Sequence, residues 1–198
     1  MFRTVHEAPG LLDRTHDGGE LIENNRFAFL MMLGFVIMLF AGLIGAYLVL
    51  RGGSLTWPPP EVPKMSMTLP LISVGIFALA TACLWIARRL SKPGSESKAF
   101  VGLLLAVVLF IFSMGVAANE WIWLFDNGMI LKTVFGGIYS VLVGAFMLHV
   151  IVALCFIISL DRPAKLLKAR SRRKMLNLGY FVTTLTVIWY AVVFVLYH

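Results

Sequence analysis

Five long stretches of this 198-residue chain contain no charged residue, and they limit the folds that it can adopt. Each is longer than the roughly 18 apolar residues that cross a hydrocarbon core of about 30 Å. Within each stretch the side chains are apolar on all sides and do not alternate with polar ones, which indicates helices and not the strands of a membrane barrel. The sequence predicts an all-α transmembrane bundle of five helices, with spans at residues 27–50, 68–87, 99–118, 133–160 and 176–197.

The positions of the charges predict how these helices are oriented. The first 26 residues are polar and contain no apolar segment like that of a signal peptide, so we expect residues 1–26 to form a retained cytoplasmic tail and residues 27–198 one transmembrane domain. Of the 17 Lys and Arg residues, 14 lie in this tail and in the second and fourth loops. This positive-inside pattern predicts an inside N-terminus and an outside C-terminus. The Lys and Arg residues that give the net charge of +7 are therefore expected to set the topology, and they can also contact anionic lipid. Nucleic acid is not an expected partner.

Reactive groups inside the spans are few. His149 is the one deep histidine, and Glu120 follows the end of the third span. A membrane haem or copper site needs more ligands than these, and a proton-pumping channel needs a series of ionisable groups. A transporter is expected to show broken helices or internal repeats, and neither is visible. We therefore expect no catalytic, cofactor-binding or metal-binding residue in this chain, and a non-catalytic subunit fits the sequence better than an enzyme.

Several short motifs occur along the chain in a definite order. The first span, "RFAFLMMLGFVIMLFAGLIGAYLVLR", ends in Ala-Tyr-Leu, and "WPPP" follows in the next loop. "NEW" stands at 119–121, "YSVLVGAFMLHV" lies at 139–150 in the fourth span, and the last span carries Trp189 and Tyr197. In this order and spacing the chain resembles subunit III of the haem-copper oxidases of the cytochrome c oxidase type. Five spans with an inside N-terminus suit the short bacterial form of that family.

Some positions depart from the family pattern. Val36 stands where the first helix of the family carries a carboxylate, and Phe146 replaces the first histidine of its His-x-x-His pair. Ala117 replaces a glutamine three residues before Glu120. The resemblance therefore does not bring the role of that first-helix carboxylate to this chain.

The resemblance implies a metal-free accessory subunit in the bacterial plasma (inner) membrane. Such a subunit packs on the catalytic subunit I in a complex that includes subunit II, stabilises the oxidase and holds phospholipid, while haem and copper belong to the partner subunits. The complex could also belong to a larger respiratory supercomplex, and its electron donor is either cytochrome c or quinol. Two alternatives remain: a subunit-III-like accessory protein of a nitric oxide reductase, and a small proton or metabolite transporter that uses Glu120 and His149.

Candidate lipid contacts lie at both ends of the spans. Arg51, Trp57 and Trp121 are expected at the outer interface, and Arg88 and Arg89 at the inner one. Cationic side chains can bind lipid phosphate there, and tryptophan settles at headgroup depth. Simple anchoring at the interface is the alternative interpretation of each.

His149 shares its helix face with apolar residues and has no polar side chain within one turn. Burying an imidazole without a partner costs about 1–3 kcal/mol, so we expect another helix or another subunit to supply one. Glu120, Thr183 and Thr186 are the candidates in this chain. Desolvation keeps such a ring neutral. The prediction is a neutral, hydrogen-bonded contact between helices with no metal attached.

Overall fold

The computed structural model of the protein describes residues 11–60, 62–92, 94–159 and 169–198, with side chains from Arg26 in the first helix and from Arg172 in the last. Five helices follow one another: α1 (Leu11–Gly52), α2 (Thr68–Leu90), α3 (Glu96–Asp126), α4 (Val134–Ile158) and α5 (Ala169–Tyr197). Each contains a segment long and apolar enough to cross a membrane, and the described residues contain no strand. The prediction of an all-α, five-helix, multi-pass membrane protein is confirmed.

Four of the helices, α1, α2, α3 and α5, extend beyond the apolar spans predicted from the sequence, whereas α4 lies within the predicted span 133–160. α3 runs from Glu96 to Asp126, and α5 begins at Ala169. A helix makes its backbone hydrogen bonds internally, so it continues past the hydrocarbon core wherever the sequence favours it. α1 begins at Leu11, so the helix covers much of the segment predicted as a polar tail, of which residues 1–10 lie outside the described part.

The chain divides into two compact units, Met1–Val36 and Ile37–His198. The first contains the N-terminal part of α1. The second contains the rest of α1 together with α2, α3, α4 and α5. The contacts between helices described below all lie within Ile37–His198.

α2 and α3 form an antiparallel hairpin joined by residues 91–95. Their buried residues recur at alternating spacings of three and four, at Ser73, Phe77, Ala80, Leu84 and Ala87 on α2 and at Ala99, Leu103, Ala106, Phe110, Ser113 and Ala117 on α3. This spacing is typical of a left-handed coiled coil, because a period of 3.5 residues keeps one seam facing the partner. Small residues bring the backbones close, and a Cβ at Gly102 would lie 3.1 Å from the Cβ of Ala87.

An aromatic row crosses the middle of the bundle, with one ring from each of four helices. The ring of Phe77 on α2 lies 4.9 Å from that of Phe110 on α3 and 5.3 Å from that of Phe146 on α4, measured between centroids. Phe146 in turn stacks on Trp189 of α5 at 4.1 Å, with the planes 10° apart. All four side chains are buried. Aromatic pairs at these distances stabilise a core beyond the area they bury, so the row joins α2, α3, α4 and α5.

Residues 37–52 of α1 join this bundle through a narrow stripe. Phe40 and Tyr47 are the buried side chains of this segment, and their spacing of seven places them two turns apart on one face. The ring of Phe40 meets that of His149 on α4 edge-on at 5.3 Å. The hydroxyl of Tyr47 donates to the carbonyl of Leu196 on α5 at 3.5 Å. This part of α1 therefore contacts both α4 and α5.

The start of α4 depends on a glycine. The hydroxyl of Thr133 accepts a hydrogen bond from the amide of Gly136 at 3.0 Å and donates to the carbonyl of Ile130 at 2.7 Å. This is a side-chain N-cap, which satisfies an amide that the helix itself leaves unpaired. A Cβ at Gly136 would overlap the carbonyl oxygen of Ile130, whereas the nearest atom to a Cβ at Gly137 would be 3.5 Å away.

We expect Gly136→Ala to lower the free energy of unfolding by about 1–3 kcal/mol, because the backbone before α4 must shift. Gly137→Ala is the matched control on the adjacent residue. It is expected to be neutral or slightly stabilising, since alanine favours helix by about 1 kcal/mol over glycine. Thermal unfolding of the two variants in detergent, followed by circular dichroism, measures the difference. Equal melting temperatures would contradict the prediction.

Candidate functional site

Among the described side chains, Glu120 near the C-terminal end of α3 has the buried carboxyl group. Its Oε1 accepts a hydrogen bond from the hydroxyl of Tyr197 on α5 at 2.8 Å. The hydroxyl of Tyr139 on α4 lies 2.9 Å from that of Tyr197. A hydroxyl has one hydrogen to donate, so Tyr139 donates to Tyr197 and Tyr197 donates to Glu120. This chain of donors links three helices.

A small cavity lies beside the carboxyl group of Glu120. Tyr139 and Tyr197 also line it, and the rest of its wall is mostly apolar, at Pro70, Ala117, Val143, Trp189, Val193 and Leu196. It is large enough for about one water molecule. Such a water needs about two to four polar partners, and Glu120, Tyr139 and Tyr197 are the polar residues of the wall. The arrangement provides one acceptor group with ordered donors in a mostly apolar site.

The loop after α1 is held against the same end of the bundle by Trp57. Its indole N–H donates to the hydroxyl of Tyr47 at 2.9 Å. The indole ring packs edge-on against Tyr47 at 5.5 Å and against Phe135 of α4 at 5.3 Å between centroids. Trp57 therefore connects α1, the loop and the start of α4.

In the middle of the bundle, two serines hydrogen bond reciprocally. The hydroxyl of Ser73 on α2 donates to the carbonyl of Ser113 on α3 at 3.2 Å, and that of Ser113 donates to the carbonyl of Ser73 at 2.9 Å. The indole N–H of Trp189 on α5 donates to the Ser73 hydroxyl at 3.1 Å. Hydroxyl groups in lipid commonly join helices in this way. These serines were not predicted as contact residues, although each is a polar residue within an apolar span.

On the far side of the aromatic row from Glu120, two threonines of α5 pair with α2 near the middle of both helices. Thr186 and Thr81 lie with their hydroxyl oxygens 2.9 Å apart, and Thr183 accepts from the indole N–H of Trp85 at 3.0 Å. The guanidinium of Arg88 lies 5.2 Å from the centre of the Trp85 ring, a cation–π contact. Thr183 and Thr186 thus lie in contacts between helices, and their partners belong to α2.

His149 makes a different contact from the one expected. Its Nδ1 lies 2.7 Å from the carbonyl oxygen of Ala145, one turn earlier on α4. The expectation that Glu120, Thr183 or Thr186 would bond the ring is wrong. The sequence argument considered side chains alone, whereas the carbonyl four residues earlier is within reach of a polar side chain on a helix.

The structure also keeps Glu120 and His149 apart. Glu120 is joined through Tyr197 to Tyr139 on α4, and His149 lies about 15 Å further along the same helix at 1.5 Å per residue. The two groups that a proton transporter was expected to use therefore belong to separate contacts.

The expected lipid contacts are arranged in two groups. At the Trp57 end, the guanidinium of Arg51 donates to the carbonyl of His198 at 3.0 Å, and the indole N–H of Trp121 donates to the hydroxyl of Ser140 at 3.2 Å. At the other end, Arg88 lies over Trp85, whereas Arg89 is exposed. Arg51, Trp57 and Trp121 thus make contacts within the protein at their polar atoms.

Over the part of the chain that the structure describes, no group of three or more His, Cys, Asp or Glu residues is placed to hold a metal ion. No protein-family model and no curated protein matches the sequence. The geometry shows hydrogen bonds that join helices at three levels, around Glu120, at Ser73 and Ser113, and at Thr183 and Thr186.

Removing the hydroxyl of Tyr197 tests the set of hydrogen bonds around Glu120. Tyr197→Phe is expected to lower the free energy of unfolding by about 1–3 kcal/mol, because Glu120 and Tyr139 both lose their partner in a site with little water. Tyr190→Phe is the matched control, since Tyr190 lies on the same helix with its side chain exposed. Thermal unfolding in detergent compares the two. A melting temperature for Tyr197→Phe as high as that of Tyr190→Phe would refute the structural role of the hydroxyl chain.

Proposed function

We propose that the chain is a non-catalytic accessory subunit of a respiratory haem-copper oxidase, resembling subunit III of the cytochrome c oxidase type. One observation carries the proposal: residues from the separate motifs of the resemblance contact each other. Trp57 of "WPPP" donates to Tyr47 of Ala-Tyr-Leu, and Tyr197 of the last span donates to Glu120 of "NEW". Tyr139, which opens the fourth-span motif, completes the set through Tyr197.

These contacts explain in physical terms why the motif residues occur together in one sequence: they form one cluster. They lie far apart along the chain; Glu120 and Tyr197 are 77 positions apart. Each supplies a donor, an acceptor or an aromatic ring to one end of the bundle. A motif set that builds such a structural cluster fits a subunit whose task is to be a stable membrane scaffold.

The distribution of polar and apolar groups favours a scaffold as well. Hydroxyl and indole groups of α2, α3, α4 and α5 are turned into contacts between helices, at Ser73–Ser113, Thr81–Thr186 and Trp121–Ser140. Large apolar side chains cover the outer faces of all five helices. Such faces bind lipid tails or the apolar helices of another subunit.

In this proposal the protein lies in a bacterial plasma membrane with its N-terminus inside, as the positions of the Lys and Arg residues favour. Its partners are the catalytic subunit I and subunit II, which carry the haem and copper centres. Exposed cationic side chains on α2 and α5, among them Arg89, Arg172 and Arg173, are available to phospholipid headgroups at the inner surface.

Purification of the chain from membranes of its host in a mild detergent tests the proposal. We expect a complex whose visible spectrum shows haem and which consumes oxygen with a reduced donor. A co-purified subunit that reduces nitric oxide but not oxygen would support the alternative accessory protein. A chain that purifies alone and moves protons or solute in liposomes would contradict the proposal.

A variant of Trp57 tests whether the motif cluster stabilises the assembly. Trp57→Ala is expected to cost about 1–3 kcal/mol, because the loop after α1 loses the indole hydrogen bond to Tyr47 and the ring contacts with Tyr47 of α1 and Phe135 of α4. The expected result is faster loss of oxidase activity on warming of the purified complex. Trp123→Ala is the control, since Trp123 is a large exposed ring on α3. Equal inactivation rates in the two variants would show that the cluster does not support the complex.

A further inference from the structure

The two ring nitrogens of His149 are in different situations. Nδ1 lies 2.7 Å from the carbonyl oxygen of Ala145, and because a carbonyl only accepts, Nδ1 carries the hydrogen. In a neutral imidazole the other nitrogen, Nε2, then has a free lone pair and is an acceptor. Nε2 is also the nitrogen farther from the backbone. Within the described residues, no hydrogen bond is made to it.

The position of the ring makes this acceptor costly to leave alone. Along the axis of α4, His149 lies about 22 Å from Val134 and about 14 Å from Ile158, at 1.5 Å per residue. In a hydrocarbon core of about 30 Å, both distances place the ring well below the lipid headgroups. Hydrocarbon tails offer no donor, so an unpaired acceptor at this depth is unfavourable.

The surface around the ring is apolar and open to a neighbour. His149 is half-buried, with Phe40 of α1 packed edge-on against one side. Leu148 and Val152 flank it on the outward face of α4, with 59% and 39% of their surface exposed. Apolar side chains around a single polar atom are typical of contacts between transmembrane helices.

We infer that Nε2 of His149 accepts a hydrogen bond from a hydroxyl or N–H side chain on a transmembrane helix of the catalytic subunit, which packs over α4 at this level. The inference rests on the proposed function, which supplies that subunit as the partner. Leu148 and Val152 provide the apolar contact, and His149 fixes the depth at which the two helices meet. The histidine is thus an interface residue whose Nδ1 is hydrogen-bonded to its own helix and whose Nε2 faces the partner.

Two substitutions separate the roles of the two nitrogens. A threonine hydroxyl on a helix donates to the carbonyl four residues earlier, as Nδ1 does, but it has no acceptor further out. A glutamine side chain is long enough to place an amide oxygen near the position of Nε2. We therefore expect His149→Thr to weaken association with the catalytic subunit about threefold to tenfold, and His149→Gln to leave it close to that of the wild type.

The measurement uses the intact complex. Wild type and variants are purified through a tag on this chain at increasing detergent concentration, and the haem retained per chain is compared. Val187→Thr is the control, since Val187 is an exposed apolar residue on α5 and its substitution also introduces a hydroxyl. Retention by His149→Thr equal to that of the control would overturn the inference. Equal loss in the Thr and Gln variants would overturn it too, because it would indicate a role that an outer acceptor cannot restore.

Nitrogen-15 NMR of labelled histidine measures the chemical shift of Nε2, which would not change on assembly if His149 had only a structural role within this chain. The full-length chain alone is compared with the complex, and the Nε2 signal is assigned by its loss in His149→Gln. We expect this signal to shift on assembly towards the value of a hydrogen-bonded acceptor. The same shift in both samples would show that water or this chain already satisfies Nε2, which would overturn the inference.

The two proposals fail in different ways. If no haem-copper subunit accompanies the wild-type chain, the proposed function falls and this inference falls with it. If that subunit is present and His149→Thr retains it fully, only the role of His149 is refuted.

Discussion

The reciprocal hydrogen bonds between Ser73 and Ser113 fix the register of α2 against α3, and the rest of the bundle is built on that register. A shift of one residue would separate both hydroxyl groups from their carbonyl partners inside a region without water. Ser73 also accepts from Trp189, so the same point sets the depth of α5. Trp189 stacks on Phe146, which carries the constraint to α4. Apolar packing alone would permit neighbouring registers, and these directional bonds select one.

A common chemical pairing recurs in the other contacts. Four of the five tryptophans donate their indole N–H to a hydroxyl oxygen, in the pairs Trp57–Tyr47, Trp85–Thr183, Trp121–Ser140 and Trp189–Ser73. The indole combines a large apolar ring with a single donor, so it fills space between helices and leaves few polar atoms to satisfy. A hydroxyl accepts that donor and can still donate to a backbone carbonyl. The pairing stabilises helix contacts at every level without introducing charge.

The sequence was sufficient to predict the helices, because a long apolar run has few alternative structures. It also named Thr183 and Thr186 as candidates for a hydrogen bond between helices. It did not identify their partners, Trp85 and Thr81, since a pairing across helices depends on register and rotation, which hydrophobicity does not encode. The contact of His149 was missed for another reason: the partner is a backbone carbonyl, which no residue pattern marks. The chain of Tyr139, Tyr197 and Glu120 likewise required three helix ends to be placed together.

The positions of the tryptophans also allow their fluorescence to report the depth of the bundle in the bilayer. Trp189 lies in the middle of the bundle, stacked on another ring, whereas Trp57 and Trp121 lie at one end and Trp85 at the other. Indole emission depends on the polarity around the ring and on nearby quenchers. Quenchers attached at chosen positions along lipid chains would therefore reach these rings in an order set by their levels along the helices. The side chains that hold the helices together would then report how the bundle lies in the bilayer.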